Sequence, residues 1–202
     1  MKYEETANEK VELIARQASK GTNWCCGDAY FFITTDEYFL CVLADGLGSG
    51  EFANEAATAV TSIVKENYHL PVEELIEKCN RILVAKRGAA VAIFKVMFEE
   101  QQFQYISIGN IRFFLYNPSI KKIIYPLPVS GYLSGRMRKF KVQTFPYSPL
   151  SKFVFFSDGL ELGSIKSYIS SDTSLGAMSE KIWNANTAQS DDVTFIIGSL
   201  LQ

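Results

Sequence analysis

The sequence predicts an α+β fold in which antiparallel sheets are covered by pairs of helices. Three observations carry this expectation. The β-rich segments follow one another in meanders with short turns, as antiparallel pairing allows. The helical segments come in consecutive pairs, which argues against a βαβ order. The chain has 202 residues, 48% hydrophobic and 21% charged, so residues 1–202 are expected to form one domain with a sizeable core and no need of staples.

Val11–Arg16 reads as an early strand. Tyr30–Thr35 and Tyr38–Ala44 are apolar and β-rich, and the Asp36-Glu37 connection suits a tight hairpin. Glu51–Tyr68 places Ala56, Ala57, Val60, Ile63, Val64 and Asn67 at helical spacing. Pro71 suits the first turn of a second helix running to about Lys86. Ala89–Phe98, Gln102–Ile108, Ile111–Tyr116 and Lys121–Tyr125 then read as successive antiparallel strands, with a turn at Asn117-Pro118. Lys139–Phe145 and Lys152–Ser157 are two more. Helices are expected at Leu160–Ser170 and Ser174–Ala185, and Asp192–Gly198 closes the chain as a strand.

Composition excludes several functions. Twenty basic against twenty-two acidic residues give a net charge of −2, which excludes a sequence-independent nucleic-acid binder and an acidic disordered chain. The polar start MKYEETANEKVELIARQ has no apolar segment of the signal-peptide type, and no run is long enough to span a membrane, so a cytoplasmic location is expected. Cys25, Cys26, Cys41 and Cys79 form no C-x-x-C pair, and His69 is the lone histidine, read as a loop residue. A Cys/His zinc site and a histidine-based triad both lack their parts, so chemistry must use carboxylates, metals or thiols.

The aspartates fall at strand ends. Asp45 follows FLCVLA in A-D-G-L-G-S-G, and Asp158 follows KFVFFS in S-D-G-L. Asp28 precedes a strand, and Asp191 and Asp192 precede the last one. If Asp36-Glu37 is a two-residue hairpin loop, Thr35 faces Tyr38, and continued pairing puts Asp28 opposite Asp45 on one sheet face. Asp158 and Asp191 would approach similarly if their strands are neighbours. Opposed like charges destabilise a sheet, so such a cluster needs raised pKa values or cations. Oxygen ligands without His or Cys suit Mg²⁺ or Mn²⁺. A single D-G after a strand is ordinarily a turn. D-G-L-G-S-G lacks the spacing of a dinucleotide loop, the G-K-[ST] of a phosphate loop and the alternating acids of an EF-hand. The recurrence at four strand ends is what favours metal binding.

These motifs, in this order, resemble the PPM-type (type 2C) metal-dependent serine/threonine phosphatases. The matching segments are Gly27-Asp28, A-D-G-L-G at 44–48 before a helix, S-D-G at 157–159 and D-D-V-T at 191–194. Lys86-Arg87-Gly88-Ala89-Ala90-Val91-Ala92 resembles the family's G-x-T-A strand, and Gly109-Asn110-Ile111-Arg112 its G-D-S-R turn. With Y-P-L-P-V-S-G-Y-L-S-G at 125–135, the likeness is closer to family members that reset the stressosome, a stress-signalling complex of Gram-positive bacteria.

The resemblance implies a four-layer α-β-β-α sandwich and two divalent cations, Mn²⁺ or Mg²⁺. It implies that Asp45 bridges both ions, with the Gly46 carbonyl as a further ligand. Asp28 and Asp158 lie near or on the same ions, holding with Asp45 the water that attacks phosphorus, and Asp191 is the last ligand. Asp192 and Asn110 stand behind the ligands, and Asn110 in place of an acid argues against a third metal. The implied activity is removal of phosphate from phosphoserine and phosphothreonine in RsbS- and RsbR-like stressosome proteins, as negative feedback on the general stress response. The chain between Ile123 and Ser151 is too short for a large flap, and a monomer is expected.

Some residues fit the resemblance less directly. The family's phosphate-holding arginine has Arg16 and Lys20 as its nearest candidates. Arg136, Arg138, Lys139 and Lys141 form the most basic stretch, read either as a solvated strand edge or as a rim that steers a phosphoprotein. Lys20, Arg136 and Arg138 are therefore the candidate substrate-binding residues. Phe153, Phe155 and Phe156 read as core, and Trp24 as packing beside the cysteines. The rival readings are a non-catalytic, phosphatase-like binding module and a two-metal phosphoesterase acting on a nucleotide or small molecule. The retained acids argue against the first, and the lack of a base-recognition motif against the second.

Overall fold

The computed structural model describes residues 1–21, 23–161, 163, 165–186 and 191–202. In chain order the elements among them are β1 (Lys2–Ala7), β2 (Val11–Ala18), β3 (Asp28–Thr34), β4 (Tyr38–Gly46), α1 (Glu51–Asn67), α2 (Val72–Ile82), β5 (Ala89–Met97), β6 (Gln102–Ile108), β7 (Arg112–Asn117), β8 (Lys122–Ile124), β9 (Gln143–Pro146), β10 (Ser151–Phe156), α3 (Ile165–Ile169), α4 (Leu175–Ala185) and β11 (Val193–Leu200).

Two antiparallel sheets face each other. One runs β1-β2-β11-β10-β7-β8 and the other β3-β4-β5-β6-β9. Side-chain alternation along each strand then builds three apolar layers. On β4, Phe39, Cys41 and Leu43 point between the sheets, where they meet Leu13, Ala15, Phe94, Phe113, Phe153, Phe155 and Ile196. Leu40, Val42 and Ala44 point the other way, onto Ala56, Ala57, Val60 and Val64 of α1 and Leu75, Ile76 and Cys79 of α2. On the far sheet, Ile14, Val154, Phe156, Phe195 and Ile197 meet Ile165, Ile169, Met178 and Ile182 of α3 and α4. The α-β-β-α sandwich is present with a helix pair on each outer face.

Several expected boundaries differ. Lys2–Ala7 forms an edge strand on β2 that the pattern did not announce, because its Lys and Glu residues break the apolar alternation. The expected strand Lys139–Phe145 contains regular strand only from Gln143. The expected helix Leu160–Ser170 is helical over Ile165–Ile169, since Gly159 and Gly163 interrupt its start; its positions 162 and 164 lie outside the described residues. His69 lies in the turn between α1 and α2, as read from the sequence. Among the described residues, no helix is long and apolar enough to cross a membrane.

Candidate metal centre

The site is a product of strand register. β3 and β4 pair with Asp28 opposite Asp45, and Thr35 closes the turn by donating its backbone N–H to Tyr38 at 2.9 Å. Asp45 has the same parity as Phe39, Cys41 and Leu43, so it continues the inter-sheet face of β4 to its very end. On the opposite sheet, Ser157 continues the inter-sheet parity of Phe153 and Phe155, and Thr194 and Asp192 continue that of Ile196. Five polar residues thus sit where the two sheets converge and the apolar core ends.

Cross-sheet hydrogen bonds hold this mouth together. Ser157 Oγ donates to Asp28 Oδ2 at 2.7 Å and accepts the Thr194 backbone N–H at 3.0 Å. Gln17 Nε2 donates to the Asp28 carbonyl and to Thr194 Oγ1, each at 3.1 Å. Asp192 is buried and accepts two backbone N–H groups at 2.8 Å, from Lys20 on Oδ1 and from Gly27 on Oδ2. It thereby ties the segment leading into β3 to the start of β11. Asn110 Nδ2 donates to Asp158 Oδ2 at 2.6 Å. Asp191 Oδ1 lies 3.8 Å from Lys20 Nζ. β10 and β11 are neighbours, but continuation of their register puts Gly159, not Asp158, opposite Asp192. Asp158 is therefore offset from Asp191 rather than facing it.

Two glycines let the elements close this tightly. A Cβ on Gly46 would lie 2.0 Å from the Ala53 carbonyl oxygen, so α1 packs directly on the backbone that follows Asp45. A Cβ on Gly159 would lie 2.0 Å from the Asp192 carbonyl oxygen.

The electrostatics call for cations. Burial pushes the Asp28 carboxyl up to about 7 against the hydrogen bonds from Ser157 and Thr194, and the charges of Asp192 and Asp158 add to the rise. Asp45 is pushed up to about 8, first by burial and then by Asp28, Asp158, Asp191 and Asp192. Asp28 Oδ1 is buried and has no hydrogen-bond partner. A carboxylate with one oxygen fixed and the other bare is poised for a ligand. Among the described residues, no three His, Cys, Asp or Glu side chains already converge on one metal-sized point. Asp28 Oδ2, Asp158 Oδ2 and Asp192 take the protein donors just named, and Asp28 Oδ1 takes none. The donor set is all oxygen, and it fits hard divalent cations.

The basic candidates separate. Lys20 is at the mouth. Arg136 and Arg138 are outside it, on a loop whose backbone N–H groups at Ser134 and Gly135 donate to Asn80 Oδ1 at 3.2 and 3.0 Å. This loop joins the mouth end of β5, where Ala89 and Leu133 exchange backbone hydrogen bonds. Arg16 is on the other face of its sheet, buried, paired with Glu180 and lying over the rings of Tyr3 and Trp183 at 5.1 and 5.7 Å. That placement removes it as a phosphate holder. Trp24 is 82% exposed, contrary to its reading as packing. Sequence reasoning missed Gln17 and Ser157; their signal was the unbroken inter-sheet parity of β2 and β10.

A β-sandwich with facing aspartates at one mouth, Asp28 buried and Asp45 half-buried, defines the class, a phosphatase scaffold of the PPM type. The family model of Stage II sporulation protein E (SpoIIE) matches residues 35–199, and the chain belongs to that family. It is 40% identical over 193 residues to phosphoserine phosphatase RsbX of Bacillus subtilis (strain 168), covering 96% of each chain. Among solved structures, RsbX in complex with magnesium superimposes with a TM-score of 0.94 at 39% identity, over 98% of this chain and 100% of that one. A chain in a solved structure described as the bacterial stressosome, a modular system that has been adapted to control secondary messenger signalling, gives a TM-score of 0.85 at 22% identity, over 94% and 99% of the two chains, and shares the fold.

Proposed function

We propose that this chain is a metal-dependent protein serine/threonine phosphatase that removes phosphate from stressosome proteins of the RsbS and RsbR kind, and so acts as negative feedback on the general stress response. The observation that carries the reading is the carboxylate mouth, with Asp28 Oδ1 bare and Asp45 held above the usual carboxylate range. The likeness to RsbX, a phosphoserine phosphatase, supports the substrate class.

Asp45, Asp28 and Asp158 are the side chains proposed to hold two divalent cations, Mn²⁺ or Mg²⁺, with the Gly46 carbonyl and Asp191 completing the set. When bound, such a pair supplies a water activated for in-line attack on phosphorus and neutralises the charge of the phosphoryl oxygens. Ser157 fixes one oxygen of Asp28 so that the other stays available. Asn110 orients Asp158, and Asp192 holds the segment before Asp28 in place. Lys20, Arg136 and Arg138 are the proposed substrate-binding cations: Lys20 beside the acids, the two arginines on the rim. The reading takes residues 1–202 as one phosphatase domain without a large flap, acting as a cytoplasmic monomer.

The test is Asp45→Ala, assayed with Mn²⁺ on p-nitrophenyl phosphate. The expected outcome is loss of turnover with the fold retained by circular dichroism. Wild-type turnover in the folded variant contradicts the reading.

A further inference from the structure

Around the Asp45 turn the protein exposes large apolar side chains in one place. Trp24 is 82% exposed, Phe52 63%, Tyr132 46% and Leu47 37%. They are linked. The Arg87 guanidinium lies 5.3 Å from the Phe52 ring centre, and its Nη1 reaches the Leu47 carbonyl at 3.5 Å. Leu47 donates its backbone N–H to Gly88 at 2.8 Å, and the Tyr132 ring packs so closely on Gly88 that a Cβ there would meet it at 2.4 Å. Trp24 and Phe52 share an open groove of about 620 Å³ along α1 with Asn54, Thr58 and Lys86. Asn54 Nδ2 donates to the Cys26 carbonyl at 2.7 Å, which fastens the segment bearing Trp24 to that helix. The patch begins two residues from Asp45 and is backed by regular structure.

Its charge selects a partner. Lys86 is matched by Glu55, and Glu51 also lines the groove, so the cationic side of the patch is the one towards Arg87 and Tyr132. Arg87, Arg136 and Arg138 have no carboxylate partner among the described residues. Exposed Trp and Tyr with an arginine are the residue types that dominate protein-binding hot spots. Unmatched guanidinium groups at such a surface attract acidic groups and phosphate.

We propose that Trp24, Phe52 and Arg87 form a docking patch for an acidic, apolar-anchored surface of the folded phosphoprotein substrate, beside the carboxylate mouth. This rests on the phosphatase reading above and adds how the enzyme tells a phosphoprotein from a small phosphate ester. An aryl phosphate occupying the mouth does not extend along α1, so the two substrate types depend on the patch differently.

The experiment compares the wild type with the Trp24→Ala/Phe52→Ser variant. The substrates are an intact phosphorylated RsbS-like protein and p-nitrophenyl phosphate, both with Mn²⁺. Both side chains are largely exposed, so the variant is expected to melt with the wild type. The expected result is a loss of about tenfold or more in kcat/KM on the phosphoprotein, carried by KM, as one hot-spot contact is worth. Aryl phosphate turnover stays within about twofold of wild type, the scale of an unperturbed active site. Equal effects on both substrates, no effect on either, or a wild-type dimer that the variant loses would overturn the docking patch. Failure of the functional reading shows separately, as a wild type that hydrolyses the aryl phosphate and leaves the phosphoprotein untouched.

Discussion

Asp45→Asn should make the metal-free protein more stable, and more so at high pH. Asp28 and Asp45 are paired across β3 and β4, so their Cα atoms are about 5 Å apart. Two charges about 5 Å apart at an effective dielectric constant of about 20 repel by ~3 kcal/mol. The sign follows from the protonation states. Both carboxyls are raised in the folded protein, to about 7 and about 8, so the folded state holds protons that the unfolded chain has released. Wild-type stability therefore falls as pH rises from about 4 to about 8. The amide has no charge to desolvate or to repel, and burial is the first cause of the raised Asp45 carboxyl. Its advantage should grow through that window and level off near ~3 kcal/mol, or a gain of about 6–12 °C in Tm for a chain of this length. Thermal melts in EDTA at pH 4 and pH 8.5 measure this. Added Mn²⁺ should raise the wild-type Tm and leave the variant's almost unmoved, because binding stabilises only the state that binds. No gain at pH 8.5, or an equal gain at pH 4, refutes the argument from a buried and crowded carboxylate.

Three further outcomes are expected. Ser157→Ala should weaken Mn²⁺ binding by about 10–100-fold, the usual cost of removing a group that orients a metal ligand, as read by titration calorimetry. Gly46→Ala should push α1 off the strand end and cost about 1–3 kcal/mol in urea unfolding, as overpacking does. Arg16→Met should lower stability by about 1–3 kcal/mol, since the residue is buried, yet leave KM for p-nitrophenyl phosphate unchanged. A raised KM there would restore Arg16 as a phosphate-holding residue.

Much of the fold was legible because local rules and tertiary structure agreed. Asp36-Glu37 fixed a two-residue turn, and a fixed turn sets the register of every pair behind it, back to Asp28 and Asp45. The helical spacing of Ala56, Ala57, Val60 and Val64 gave the buried face of α1 directly. Lys2–Ala7 was not legible, because an edge strand with one wet face can carry charges at will. The family resemblance, not the residue pattern itself, separated Asp191 as a ligand from Asp192 behind the ligands. Only the fold shows that Asp192 is buried on two backbone N–H groups and that Asp191 meets Lys20. The arginines were ambiguous for a related reason. A guanidinium on a strand can lie on either side of its sheet, and alternation sent Arg16 to the α4 side, away from the mouth.

The most direct test of the central claim follows phosphate loss by intact mass. A phosphorylated RsbS-like protein is incubated with the wild type and with Asp45→Ala, each in Mn²⁺ and in EDTA. Loss of 80 Da per phosphate (about the mass of HPO₃, as hydrolysis of the ester requires) is expected only for the wild type with Mn²⁺. Equal loss in EDTA, or from the folded Asp45→Ala protein, would contradict the account.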